Sequence, residues 1–139
     1  MISKRAILIL VLVLVLFPVS CGDNLAHPGT KIEGLWGAEH IELIAESDWV
    51  LIEYDCARGT INSALIPDSD GQFDILGTYT LGGGPVNLNA PPPDAQPARY
   101  QGRVIGNRLE LTVTLTDTGD VIGSFVLVRG EPGYLYKCL

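Results

Sequence analysis

The sequence predicts a small all-β domain, an antiparallel meander of about eight short strands. Apolar and polar residues alternate with a period of two along most of the chain, which is typical of half-buried strands. Gly, Asp, Asn and Pro residues interrupt this pattern at short intervals and indicate turns. A meander of this length can close into a barrel, which removes both exposed edge strands. We therefore expect a closed β-barrel, and an open two-sheet sandwich is the alternative.

The first five predicted strands precede a long loop. The early ones carry apolar side chains at every second position, as at Ile41 and Leu43. Asp70-Gly71 separates the last two, because Asp-Gly favours a tight hairpin. In chain order these strands cover residues 35–36, 39–45, 49–56, 59–66 and 72–80.

The predicted strands after the loop show the pattern most clearly. Every odd position from 109 to 115 is Leu or Val and the even positions are Glu or Thr, so one face is apolar and the other is wet. Gly106-Asn107 and residues 117–120 supply the turns on either side. In chain order these strands cover residues 99–105, 107–116, 121–129 and 134–138.

Together the strands supply enough apolar side chains for one core. Gly77, Gly102 and Gly123 lie inside predicted strands, and sharply bent barrel strands use Gly where backbones approach closely. The expected inward-facing set is Ile41, Leu43, Val50, Ile52, Tyr54, Phe73, Ile75, Tyr79, Tyr100, Val104, Leu109, Leu111, Val113, Phe125 and Leu127.

A Gly- and Pro-rich loop at residues 82–98 breaks the regular strand spacing. It contains three consecutive Gly and three consecutive Pro residues. Loops longer than about 12–15 residues are uncommon and are usually functional or disordered. A binding loop and a solvated excursion are both open interpretations.

The N-terminus resembles the precursor of a bacterial lipoprotein. Two basic residues precede an unbroken apolar run at 6–17, as in a secretory signal peptide, and the run is shorter than the ~20 residues of a membrane span. The resemblance implies cleavage before Cys21 and attachment of lipid, such as palmitate, to its thiol. Pro18 stands where an aliphatic residue is usual, so cleavage near Ser20 with a free Cys21 thiol and an uncleaved anchor remain alternatives.

This resemblance implies three segments and a location. Residues 1–20 are expected to be a cleaved signal peptide, 21–33 a lipid-anchored flexible tether, and 34–139 a single β domain. The tether is polar and contains Pro and Gly without periodicity. Covalent lipid holds such a protein on the extracytoplasmic side of a membrane in the bacterial cell envelope.

Three cysteines become an even pair once Cys21 is assigned to lipid. Cys56 and Cys138 then form the expected disulfide, since exported proteins fold in an oxidising compartment. The bridge would tie the C-terminus to an early strand. Two buried free thiols or a metal site are the alternatives.

The charge balance makes nucleic acid an unsuitable partner. The chain has 9 basic and 16 acidic residues, and residues 1–20 contain two of the basic and none of the acidic ones, so their removal changes the formal charge from −7 to −9. Such a surface repels nucleic acid and favours cationic proteins. The same charge also keeps a small domain soluble.

No catalytic motif emerges from the sequence. The two histidines are His27, in the expected tether, and His40. The nucleophile–base–orienting group arrangement of hydrolases has no counterpart, and we expect no enzyme activity, cofactor or metal. His40 and Glu42 share a strand face, but two ligands do not hold a structural ion. Residues 68–74 have spaced carboxylates without the distal Glu of a calcium loop.

Two further resemblances concern the β domain. Gly34-Leu35-Trp36 resembles the Gly-x-Trp of lipocalins, which implies an eight-strand barrel, a Trp across its closed end and a small apolar ligand at the open end. Tyr54-Asp55-Cys56-Ala57-Arg58-Gly59 is similar to the Tyr-x-Cys-x-x-Gly of lipoprotein inhibitors of c-type lysozyme. In that family a disulfide also reaches the C-terminus. Its inhibitory Ser-Gly-x-x-Tyr loop is matched only at Tyr100.

The sequence therefore predicts an envelope lipoprotein with a non-catalytic binding or structural role. Inhibition of a cationic envelope enzyme such as lysozyme and transport of a small apolar ligand are the alternatives. The candidate binding residues are Trp36, His40, Arg99 and Tyr100.

Overall fold

Eight antiparallel strands form a closed β-barrel, as the sequence predicts. The structure is a computed structural model that describes residues 29–82, 89, 91 and 93–138. Each strand pairs with the next, and β1 pairs with β8 through Trp36 and Arg129, so the sheet closes on itself. The strands are β1 (Gly34–Ala38), β2 (Ile41–Ala45), β3 (Val50–Tyr54), β4 (Ala57–Ile61), β5 (Gln72–Leu81), β6 (Gln96–Ile105), β7 (Arg108–Leu115) and β8 (Val121–Arg129).

The barrel interior is filled by one apolar core. Every residue of the predicted inward-facing set is buried except Ile75 and Phe125, which are partly buried and pack against the core. The alternation of strand side chains accounts for this agreement. The core also contains residues outside the predicted set, namely Ile32, Trp36, Ala45, Ala57, Ile61, Leu65, Ala98 and Leu115.

Two strand glycines make room for Tyr100, which is second only to Trp36 in size among the fully buried side chains. Tyr100 on β6 is fully buried, and its hydroxyl donates to the backbone carbonyl of Thr78 (2.6 Å). A Cβ added at Gly59 would contact the Tyr100 hydroxyl, and one added at Gly77 would lie 3.0 Å from the ring. The absence of side chains at these two positions thus lets the tyrosine ring lie across β4 and β5.

Several predicted boundaries differ from the structure. Strand β6 begins at residue 96, so the loop is shorter than the predicted range 82–98. The sequence did not indicate this boundary because Pro97 lies next to the strand start, and Pro is unusual inside strands. Residues 134–138 form no strand and make one isolated bridge, between Glu39 and Tyr134. Because β1 and β8 already close the barrel, no free edge remains to pair with a ninth strand.

The folded domain begins before residue 34. Ile32 is buried, and its amide donates to the carbonyl of Leu65. The tether was expected to extend to residue 33, but the folded domain already includes Ile32. A single apolar residue between Lys31 and Glu33 shows no periodicity, so the sequence did not indicate this contact. The signal peptide, Cys21 and residues 83–88 lie outside the described residues. Within the described part of the chain, no helix has the length and hydrophobicity needed to cross a membrane.

The barrel has two ends with different contents. What we call the disulfide end carries the β1–β2, β3–β4, β5–β6 and β7–β8 connections, together with Cys56 and Cys138. The opposite end, the Trp49 end, carries the β2–β3, β4–β5 and β6–β7 connections. The chain enters the described domain at the Trp49 end, where Ile32 pairs with Leu65.

The C-terminal segment, residues 130–138, runs along the outside of the barrel from the Trp49 end to the disulfide end. Gly130 donates to the carbonyl of Leu35 at its start, and Tyr134 donates to the carbonyl of Ala38 further along. It crosses β1 at Gly37, where an added Cβ would overlap the segment's backbone. The segment ends at the disulfide and covers part of β1 and β2.

Candidate functional site

The four candidate binding residues do not converge on one site. Trp36 and Tyr100 are fully buried in the core, so their role in the folded protein is structural rather than partner contact. Arg99 lies on the outer wall of β6, and His40 lies in the β1–β2 turn at the disulfide end. Tyr100 also belongs to the predicted inward-facing set, so its two predicted roles, in the core and in binding, conflict, and the structure places it in the core.

Arg99 is engaged by its neighbour on β5. Its Nε and Nη2 donate to the two carboxylate oxygens of Asp74 at 2.7 and 2.5 Å. The side-chain amide of Gln101 donates to the same carboxylate. The Arg99 guanidinium holds the pKa of Asp74 below its usual value. The pair is exposed, so we assign it a local role in the sheet wall.

Trp36 lies where the barrel closes between β1 and β8. The Arg129 guanidinium lies 4.7 Å from the centroid of the indole ring, a cation–π arrangement. The indole Nε1 is buried, and it has no hydrogen-bond partner in the described part of the chain.

His40 belongs to a polar cluster that holds the C-terminal segment. Its backbone has a φ of 70°, an uncommon left-handed conformation for a residue other than Gly. The ring Nδ1–H donates to Asp55 Oδ2 (2.6 Å), and the ring packs against Tyr136 at a centroid distance of 5.2 Å. We call His40, Asp55 and Tyr136 the clasp.

Asp55 is the central residue of the clasp. Its second carboxylate oxygen accepts from the Tyr136 amide (2.8 Å), and this hydrogen bond is the main reason that the pKa of Asp55 lies below its usual value. The His40 side chain lowers the pKa further. Sequence reasoning missed Asp55 and Tyr136, because nothing in the pattern showed that the C-terminus returns to this turn.

We expect the clasp to weaken in acid. A carboxyl group whose folded-state pKa lies below its unfolded value of 3.8 stabilises the fold fully above that value. The contribution is lost as the pH falls through the folded-state pKa. Amide hydrogen exchange at Tyr136 should therefore be faster in Asp55→Ala than in the wild type near neutral pH. The difference should shrink below pH 3.8.

Asp117→Ala is the matched control for this prediction. It removes the same charge from another turn at the disulfide end, where Asp117 is exposed. Equal protection of the Tyr136 amide in Asp55→Ala and Asp117→Ala would contradict the role of Asp55 in the clasp.

A disulfide joins Cys56 and Cys138 next to the clasp, as the cysteine count predicts. The two Cα atoms are 5.3 Å apart, inside the usual range for a bridge. The Gly82 amide donates to the carbonyl of Cys56, so the start of the β5–β6 loop is held beside the bridge. The disulfide and this hydrogen bond therefore join the C-terminal segment and the start of the β5–β6 loop to the β3–β4 connection.

A surface pocket of about 380 Å³ opens beside this disulfide. Exposed Leu81 and the Cys138 segment supply apolar surface, while Arg58 and Lys137 supply positive charge. Glu53 pairs with both cations, with its carboxylate 2.7 Å from the Arg58 Nε and 3.4 Å from the Lys137 Nζ. The pocket therefore has an apolar wall beside a cluster in which one carboxylate pairs with two cations.

Tyr54 connects this pocket to the barrel interior. Its ring packs edge-on against Tyr79 at 5.5 Å, and the residue also lines the pocket. Its hydroxyl is buried and lies near the Tyr100 hydroxyl, but it makes no hydrogen bond of good geometry within the described part of the chain. Burial raises the pKa of Tyr54, and the neighbouring Tyr100 raises it further.

Removal of this hydroxyl should not destabilise the protein. A buried polar group without a partner costs about 1–3 kcal/mol, so Tyr54→Phe should leave the free energy of unfolding unchanged or raise it by up to that amount. Tyr100→Phe is the control, because it removes a hydroxyl that does donate, to Thr78; it should lower the free energy by about 1 kcal/mol. Urea unfolding measures both. A loss in Tyr54→Phe as large as in Tyr100→Phe would indicate a bound water or ligand on Tyr54.

The described residues lack the arrangement of a hydrolase at His40. Its Nε2 faces Glu39 Oε1 at 3.7 Å rather than a nucleophilic hydroxyl or thiol. The described ranges also contain no group of three or more His, Cys, Asp and Glu side chains that could hold a metal ion. In the 68–74 turn, Asp68 Oδ1 accepts from the amides of Asp70 and Gln72, so this carboxylate stabilises a hairpin connection.

Comparison with protein-family models, with curated proteins and with solved structures finds no match for this chain.

Proposed function

We propose that this protein is a lipid-anchored binding protein of a bacterial cell envelope that presents its disulfide end to an extracytoplasmic partner. Cys21 carries the lipid, and residues before Gly29 connect it to the Trp49 end of the barrel. The observation that carries the proposal is the separation of the two ends. The chain enters at one end, while the clasp and the disulfide rigidify the other.

The chemistry of the disulfide end supports a binding role. Leu81 and Tyr136 are 56% and 62% exposed there, and Tyr134 is exposed on the same C-terminal segment. Aromatic side chains with one polar atom are enriched at protein interfaces because they combine apolar area with a hydrogen-bonding group. Cross-linking through Cys56 and Cys138 fixes this surface in advance, which reduces the entropy lost on binding.

The lipid anchor is tested by intact mass and by labelling. Cells expressing the full chain with an alkyne analogue of palmitate should incorporate the label, and the mature protein should begin at Cys21. Cys21→Ala should abolish the label and release the protein from the membrane fraction. Label retained in Cys21→Ala, or a mature N-terminus elsewhere, would contradict the proposal.

The presented surface is tested by photo-crosslinking in living cells. A photoreactive amino acid in place of Tyr136 should give a discrete adduct with an extracytoplasmic protein. The same amino acid in place of Ser124, which lies exposed on the wall of β8, is the control and should give none. Equal adducts from both positions, or none from either, would count against the disulfide end as the binding surface.

A second candidate function, binding of a small ligand, is favoured by Tyr54. Tyr54 is one of the residues that line the pocket beside the disulfide, and its buried hydroxyl has no hydrogen bond of good geometry to a described residue. The interior below is filled by side chains of the described residues, so such a ligand would occupy this pocket rather than the barrel centre. Native mass spectrometry of the envelope-purified protein should show an added mass that Tyr54→Phe loses. An unchanged mass spectrum in both would rule against this candidate.

Inhibition of a lysozyme stays an alternative with less support. Tyr100, which the inhibitor resemblance singled out, is fully buried and donates to Thr78. The remaining argument is the acidic surface, with 16 acidic and 9 basic residues. Unchanged lysozyme turnover in a large molar excess of the mature domain would end this alternative.

A further inference from the structure

Three large apolar side chains are exposed at the Trp49 end. Trp49 lies in the β2–β3 turn, Ile66 in the β4–β5 connection and Ile105 at the end of β6. They are between 42 and 51% exposed. Because the topology places these three connections at the same end, the three side chains surround one face of the barrel.

The incoming chain lies beside two of them. The Lys31 ammonium donates to the carbonyl of Ser47, in the same turn as Trp49 (3.0 Å). The Gly29 amide donates to the carbonyl of Pro67, the neighbour of Ile66 (3.4 Å). The chain N-terminal to Gly29 therefore departs from the face that carries the exposed apolar residues.

The length of that departing segment limits how far this face can be from a lipid on Cys21. Seven residues lie between Cys21 and Gly29, so eight Cα–Cα steps join them. A fully extended chain spans at most about 3.5 Å per residue, so the separation cannot exceed about 28 Å. The tether therefore keeps the Trp49 end within that distance of a lipid on Cys21.

The side chains at this end suit a zwitterionic lipid surface. Trp and other amphipathic aromatic side chains prefer the headgroup region of a bilayer, and Ile gains from leaving water there. Lys31 and Arg108 lie at this end together with Glu46, Asp48, Asp68 and Asp70, so charges of both signs are present and the acidic ones outnumber the basic ones. A strongly anionic membrane is not required, because the gain comes from apolar insertion.

We propose that the Trp49 end docks on the membrane surface and inserts Trp49, Ile66 and Ile105 into the headgroup region. This inference rests on the proposed lipid anchor at Cys21 and adds an orientation to it. The disulfide end then points away from the membrane, so the exposed surface at Tyr136 stays accessible to a partner.

Tryptophan fluorescence tests the docking directly, because the chain has two Trp residues and Trp36 is fully buried. The full-length lipidated protein is reconstituted into phosphatidylcholine vesicles with brominated acyl chains, which quench Trp on contact. Trp49 emission should be lost relative to vesicles of unbrominated lipid. Trp49→Phe should remove the quenched component and leave the emission of Trp36 unchanged.

A second variant reports on the other end of the barrel. Trp49→Phe combined with Tyr136→Trp places the exposed Trp on the disulfide end, and we expect no quenching there. The substitutions Ile66→Asp and Ile105→Asp should reduce the quenching of Trp49. They should not change the unfolding midpoint, since both side chains are exposed.

The outcomes separate this inference from the proposed anchor. A lipidated Cys21 with unquenched Trp49 overturns the docking and leaves the anchor in place; cover of this face by residues 21–28 or by a second copy would give that result. Equal quenching at residues 49 and 136 also overturns the docking, because it would show no fixed orientation. An intact mass without lipid overturns both.

Discussion

The double variant Cys56→Ser/Cys138→Ser should lose about 4 kcal/mol of its free energy of unfolding. The bridge closes a loop with a sequence separation of 82 residues. Constraining a loop of that length in the unfolded chain stabilises the fold by about 4 kcal/mol in the chain-entropy account. The loss is large beside a total stability of about 5–15 kcal/mol for a typical domain.

Urea unfolding under oxidising conditions measures this loss, and two comparisons sharpen it. Reduction of the wild type should lower the unfolding midpoint to that of the double variant, and should not change the midpoint of the variant itself. Cys21→Ser should behave as the oxidised wild type, because that thiol lies outside the described domain. A loss below about 1 kcal/mol would contradict this account, because it would mean that the bridge hardly restricts the unfolded chain.

Gly59→Ala should destabilise the barrel through Tyr100. The added Cβ would lie in contact with the Tyr100 hydroxyl, and the ring is fully buried and cannot move aside. Overpacking of this kind costs about 1–3 kcal/mol. Tyr100→Phe should relieve part of that cost, because the nearest remaining ring atom lies 3.2 Å from the new Cβ. We expect a favourable coupling of about 1 kcal/mol in the double-mutant cycle.

Gly77→Ala is the matched control for this cycle. Its Cβ would overlap the backbone carbonyl of Thr60, and the contact with the Tyr100 ring would persist in Phe. Gly77→Ala should therefore be destabilising at the upper end of the same range, with no relief from Tyr100→Phe. Thermal unfolding of the three single and two double variants measures both cycles. Equal relief at both glycines would show that the Tyr100 hydroxyl is not the group in contact.

Much of the fold could be read from local patterns, and the errors have local causes. Period-two alternation identified seven of the eight strand regions closely, because a barrel strand has one buried and one wet face. Pro97 hid the start of β6, since Pro argues against a strand interior. Ile32 was assigned to the tether, because a single apolar residue carries no periodicity.

The candidate site was much less predictable. His40 was noticed for its sequence neighbours Glu39 and Glu42, but its partners in the structure are Asp55 and Tyr136. Those contacts join residues that are 15 and 96 positions away in sequence. Long-range pairing of this kind depends on the path of the C-terminal segment, and no local pattern reports that path.

The sequence by itself determined the all-β class, the composition of the core and the pairing of Cys56 with Cys138. Alternation is a property of each strand alone, and assigning Cys21 to lipid leaves a single possible pair among the three cysteines. Tertiary structure alone decided that Trp36 joins the core, and that the C-terminal segment ends at the clasp. It also decided that the chain enters at the end opposite the disulfide. These facts depend on how eight strands close, which brings together residues that no local pattern relates.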